Sequence, residues 1–226
     1  LNIGVSGCTS FYNVTSHPRG VRDWCSTYIN KAIELAVNTE SVKTVVLSSR
    51  GPMYLTGNGY HEGDDLIHHD RVLELVGHPE VTDYAAVFEA GMRNTFTMLA
   101  KAGKQVVFVL DIPELGFSPM SCVDSRPLRL TNKVKSPCAI SRAEVDSRNK
   151  EYKEVVARVM KDFPAVTLFD TQAKLCDAEW CWAMIDGQMM YRDDDHLSAK
   201  GSEFMAKDLM PIINRALADP ESQAQR

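Results

Sequence analysis

The feature that most constrains the fold is the order of two hydrophobic periods along the chain. Short apolar runs, "KTVVLSS" from Lys43, "KQVVFVL" from Lys104 and "AVTLFD" from Ala165, are strand-sized and apolar on both faces, as buried parallel strands are. Before, between and after them lie segments with three- and four-residue spacing. "RDWCSTYINKAIELAV" places Trp24, Tyr28, Ala32, Ile33 and Leu35 on one helical stripe. "TDYAAVFEAGMRNTFTMLAKAG" is a helix capped by Thr82 or Asp83 and stopped at Gly103. "SRAEVDSRNKEYKEVVARVMKDF" opens with a Ser141 and Glu144 capping box. "SAKGSEFMAKDLMPIINRALAD" is the last helix. Strands alternating with helices require a mostly parallel sheet covered on both faces, an α/β fold with three layers. "LNIGV" reads as one more strand, "SGCTSFYNVTSHPRG" as a loop, and the polar stretch from Arg50 to Val81 as an excursion over the active face.

A chain of 226 residues fits one such domain, here 1–218, with 219–226 as a frayed tail. Its 44% hydrophobic and 24% charged residues are ordinary for a globular protein. No apolar run approaches the roughly 20 residues of a membrane helix. A net charge of -5 without a basic block argues against nucleic acid as a partner.

Six cysteines fall into three local pairs, Cys8 with Cys25, Cys122 with Cys138 and Cys176 with Cys181. Three disulfides in an oxidising compartment account for this pattern; six buried thiols in a reducing one are the alternative. Zinc is disfavoured, because no C-x-x-C is present.

In open parallel sheets ligands bind beyond the carboxyl ends of the strands, so the loops after Val5, Ser49, Asp111 and Asp170 are expected to surround one site. The stretch "MMYRDDDHLSAKGS" can reach it from the front of the last helix. An Asp and a His three apart allow Asp193 to hold His196 by its Nδ1 hydrogen while Nε2 serves as a base. The bland reading is that these residues cap the final helix.

The late D-x-x-H together with "GVSGCTS" resembles the SGNH (GDSL) hydrolase superfamily. "LCDAEWCWAMIDGQMMYRDDDHLSAKGS" is similar to the end of the SGNH domains fused to bacterial acyltransferase-3 membrane proteins. The resemblance implies triad roles for Asp193 and His196, an oxyanion-binding backbone N–H at Gly7, and neither cofactor nor metal. It also implies an acyl donor and a cell-envelope polysaccharide as partners, O-acyl transfer through a serine ester, and a periplasmic or extracytoplasmic domain tethered to the inner membrane by an N-terminal acyltransferase domain. A carbohydrate O-acetyl esterase and a non-catalytic saccharide-binding relic are the rival readings.

The sequence departs from that family at two places. No Gly-Asp-Ser is present; the nucleophile is expected upstream of Leu1, with Ser6 and Ser10 as in-chain alternatives. Arg50 stands where the family often has asparagine, and it either holds an acyl or sugar oxygen or pairs with a loop carboxylate. The cluster His61, Asp64, Asp65, His68, His69 and Asp70 is read as a solvated loop, since its spacing repeats no ligand pattern. Trp180 and Trp182 either stack on a sugar or belong to the core.

Overall fold

The computed structural model describes residues 2–21, 23–60, 70–123 and 134–218. The centre of the fold is a parallel sheet of β2 (Thr44–Ser48), β4 (Gln105–Val109) and β6 (Thr167–Phe169), in the order β2-β4-β6. Leu47 pairs with Phe108, and Phe108 with Leu168, so all three strands run in register toward one carboxyl edge.

Alternation along β4 divides the core. Val106, Phe108 and Leu110 face one cluster, with α1 (Cys25–Asn38), α3 (Tyr84–Lys101) and much of α4 (Arg142–Asp162). Val107 faces a second, with Phe169, Leu175 of the short helix α5 (Gln172–Leu175), Tyr191, and Met205 of α6 (Ala199–Ala218). Helices thus cover both faces, as a strand buried on both sides demands. Full burial of side chains such as Phe108, Phe88 and Phe96 stabilises the first cluster by about 1.5–3 kcal/mol each.

Two of the helices, α3 and α4, begin where their caps are written. The Asp83 carboxylate accepts from Ala86 N, and Ser141 Oγ accepts from Glu144 N. Gly103, at φ 65°, follows α3 in the left-handed region that favours glycine.

Several expectations need correction. Asn2–Val5 form no strand, because no described segment lies alongside to accept ladder bonds. Instead, the expected loop contains β1 (Val14–Pro18), which pairs antiparallel with β3 (Arg71–Leu75) from the expected excursion. That excursion also holds the short helix α2 (Gly51–Thr56). "AVTLFD" is not the last strand, since β7 (Trp180–Trp182), β8 (Met184–Ile185) and β9 (Gln188–Met189) follow; β5 (Ala139–Ser141) pairs with β7. The buried face of α1 is Cys25, Ile29 and Ile33, while Trp24, Tyr28 and Leu35 are exposed. The Cys8–Cys25 disulfide turns that helix so that Cys25 faces inward. All three local disulfides are formed.

Candidate active site

The D-x-x-H loop is built from below. Tyr191 is buried, and its hydroxyl donates to Pro113 O at 2.9 Å, fixing the loop to the chain leaving β4. Arg192 N donates to His196 O, and Leu115 N donates to Asp194 O, each at 2.8 Å, closing the loop as a compact turn. The cap of α6 is Ser198. Its Oγ accepts from Gly201 N at 3.0 Å and donates to Met189 O at 2.6 Å. The capping role expected for one of the aspartates therefore belongs to a serine, which leaves the carboxylates for other work.

Asp193 Oδ1 accepts from His196 N at 2.8 Å and lies 2.9 Å from His196 Nδ1. Arg192 donates to Asp193 Oδ2 through Nε and Nη2, at 3.1 and 3.0 Å. Burial works against ionisation of Asp193, but the bonds from His196 and Arg192 outweigh it and hold this carboxyl well below the usual range. An Asp193 anion facing Nδ1 favours the tautomer with its proton there, which leaves Nε2, at the opposite side of the ring, as the basic position.

Asp195 neither turns to water nor caps the helix. Instead its Oδ1 lies 2.7 Å from His196 Nδ1, and its Oδ2 lies 2.8 Å from Arg50 Nη1. Two carboxylates two positions apart therefore reach one imidazole, because the loop folds back on itself between Arg192 and His196. Arg50 stands at the N-cap of α2 and forks to Glu114 Oε1 as well, at 2.6 Å from Nη2 and 2.8 Å from Nε. Arg148 of α4 binds the other Glu114 oxygen at 2.7 Å. The side chains of Arg50, Glu114, Arg148 and Asp195 are 13, 2, 10 and 10% exposed, so two cations and two anions are buried together in balance.

His196 and Asp195 line a cavity of about 440 Å3, together with Ser48, Asp111 and Thr171 at the carboxyl ends of β2, β4 and β6. Met205 and Leu209 of α6 close its apolar side. Of the four loops expected to surround the site, those after Asp111 and Asp170 line the cavity through Ile112 and Thr171, while β2 reaches it through Ser48, just before its own loop. The loop after Val5 does not line this cavity. There Gly7 adopts φ 71°, and its carbonyl accepts from Arg71 Nη2 at 2.6 Å. A side chain at Gly7 would need a strained backbone and would crowd the Arg71 guanidinium at 3.2 Å. Arg71 is itself buried and also donates to Ser16 O and Oγ.

Sequence reasoning did not single out Glu114, Arg148 or Arg71. Glu114 follows Pro113 at the end of a strand, where a carboxylate reads as an ordinary loop residue. Arg71 lies in the strand hidden within the polar excursion. The cluster His61 to His69 lies outside the described residues, while its last member, Asp70, pairs at the surface with Arg19. Trp182 Nε1 donates to Asp177 Oδ2 at 2.7 Å, and Trp180 lines a separate cavity with Phe117 and Lys135.

Among the described residues, Asp193, Asp195 and His196 are the group whose donor atoms stand close enough to hold a cation, within 4.8 Å of one another. As arranged, both carboxylates face Nδ1, Asp193 through a hydrogen bond and Asp195 as a close charge contact. An aspartate-held histidine at the open edge of a parallel sheet can take a proton from a hydroxyl. A family model described as "SGNH domain (fused to AT3 domains)" matches residues 1–211. The chain belongs to this family. As an SGNH domain it falls in a class whose chemistry is ester hydrolysis or acyl transfer, and whose members are joined to AT3 membrane acyltransferase domains. No curated protein matches the chain significantly. Among the described residues no helix is long and apolar enough to cross a membrane.

Proposed function

We propose that this SGNH domain transfers an O-acyl group, acetyl in the simplest case, to a cell-envelope polysaccharide through a serine acyl-enzyme. The observation that carries the reading is the Asp193–His196 pair at the carboxyl edge of the sheet, opening into the cavity bounded by Ser48, Asp111 and Thr171. His196 Nε2 takes the serine proton as Oγ bonds to the acyl carbon, and returns it to the leaving group. In the second half it takes the proton of the acceptor hydroxyl and gives it back to the serine. Asp193 holds the ring and balances the imidazolium.

The serine itself is proposed to come from a segment preceding Leu1. Support comes from the sheet: β2 is an edge strand whose Val46 is exposed, and its last residue, Ser48, borders the cavity. A strand laid beside β2 would end beside His196. Gly7 N–H is proposed as an oxyanion donor, its backbone held by Arg71 and the neighbouring Cys8–Cys25 bridge. Arg50 is proposed to act on the substrate only through the carboxylates it binds, because it is committed to Glu114 and Asp195. The three disulfides support an extracytoplasmic location for the domain, tethered through an AT3 partner.

Water in place of the sugar hydroxyl would make the same site an esterase. The test is to express the protein as its gene encodes it, purify the envelope polysaccharide and count O-acyl groups by proton NMR. Transfer predicts acylated sugar that disappears with His196→Ala. Free acid released from an acyl donor, with no acylated polysaccharide, supports the esterase. Neither product, with the fold intact, supports the binding relic.

A further inference from the structure

The D-x-x-H pattern accounts for one carboxylate at His196, yet the site holds two. The Asp193 contact is the aligned hydrogen bond to Nδ1, whereas Asp195 Oδ1 stands at 2.7 Å from the same nitrogen as a charge contact. Asp195 does not arrive there by chance. Its second oxygen is clamped by Arg50, Arg50 is anchored by Glu114, and Glu114 is anchored by Arg148. This chain of ion pairs runs from α4 through α2 to the loop, and it is buried, so its members have little freedom to swing away.

We propose that Asp195 is a second positioning carboxylate for His196: Asp193 orients the ring and fixes its tautomer, while Asp195, held by Arg50, stabilises the imidazolium. The proposal rests on His196 as the base of the proposed function, but the property it assigns can be read without turnover. It also gives a reason for arginine in place of asparagine at position 50. An amide could not neutralise Glu114 and hold Asp195 at once, whereas a guanidinium presents five donors in a rigid fork.

The charged groups in contact with the imidazole are Asp193 and Asp195; behind them stand Arg192 on Asp193, Arg50 on Asp195 and Glu114 on Arg50, with Asp111 lining the same cavity. Burial raises the Asp195 carboxyl above its usual range; Arg50 and His196 oppose this, and a hydrogen bond with Asp193 and the charge of Asp194 add to it. Arg50 is thus the principal group keeping Asp195 available as an anion.

The test follows the His196 ring nitrogens by two-dimensional proton–nitrogen NMR across a pH titration of the folded chain. Asp195→Asn is expected to lower the His196 midpoint by roughly one pH unit, as loss of a contacting opposite charge does, while the Nδ1–H tautomer is retained. Asp193→Asn is expected to lower the midpoint and to lose the tautomer preference. Asp194→Asn, which removes the same charge from the same loop, is expected to shift the midpoint much less than Asp195→Asn. Asp195→Ser repeats the reading if the amide variant does not fold. An unchanged midpoint in Asp195→Asn, an equal shift in Asp194→Asn, or loss of the tautomer in Asp195→Asn overturns the assignment. If the midpoints move as expected but the encoded protein forms no acyl-enzyme, the proposed function fails and the electrostatic assignment stands.

Discussion

Asp193 Oδ1 meets both the backbone N–H and the ring Nδ1 of His196, at 2.8 and 2.9 Å. One oxygen therefore fixes the main chain and the imidazole together. Asp193→Asn in the full protein replaces that anion with a group able to present its amide hydrogens to Nδ1, which favours the wrong tautomer. Acyl-transfer rate is expected to fall by roughly 10^4-fold with folding retained, read by steady-state kinetics beside circular dichroism.

Glu114 is the shared anion of two buried guanidinium groups. Glu114→Gln leaves both without their common counter-charge and is expected to cost roughly 3–5 kcal/mol, the penalty for breaking a buried pair from one side. Urea unfolding of the variant measures it. A loss under about 1 kcal/mol, the range of exposed pairs, would show the cluster to be solvated.

Folding raises the Asp111 carboxyl well above its usual range, first through burial and then through the nearby Glu114 charge; Arg50 and Gly51 N–H only partly oppose this. The folded chain keeps a proton that the unfolded chain releases near pH 3.9. This contribution to stability is complete below that pH and is lost as pH rises toward the folded pKa. Asp111→Asn keeps an acceptor for Gly51 N–H without the charge. It is expected to raise the melting temperature more at pH 8 than at pH 4.

Gly201 lies in the first turn of α6, where a Cβ would stand 2.0 Å from Met190 O. Met190 O is also the acceptor for Ser198 N, so the clash falls on the strut beneath the D-x-x-H loop. Gly201→Ala is expected to destabilise by roughly 1–3 kcal/mol and to broaden the His196 NMR signals.

Much of this was written in local pattern. The β2, β4 and β6 runs and the α3 and α4 caps are short-range signals, and the sheet needs only those to form in parallel. The Asp193–His196 contact was legible because three residues on one turn leave few other geometries. What escaped was set by tertiary contact. β1 and β3 pair residues 53 to 61 positions apart, from Pro18 with Arg71 to Val14 with Leu75, and neither carries a clean alternation alone. The exposed face of α1 could not be told from its buried one until the disulfide fixed Cys25 inward. Glu114 and Arg148, from a loop and a helix, gain their meaning only when the fold brings Arg50 between Glu114 and Asp195.

The most direct test of the central claim is labelling of the gene-encoded protein with a fluorophosphonate, followed by peptide mass spectrometry. A serine activated by His196 is expected to carry the phosphonate in the parent protein and to lose it in His196→Ala. Absence of label in the folded parent, or label that persists without His196, would contradict the account.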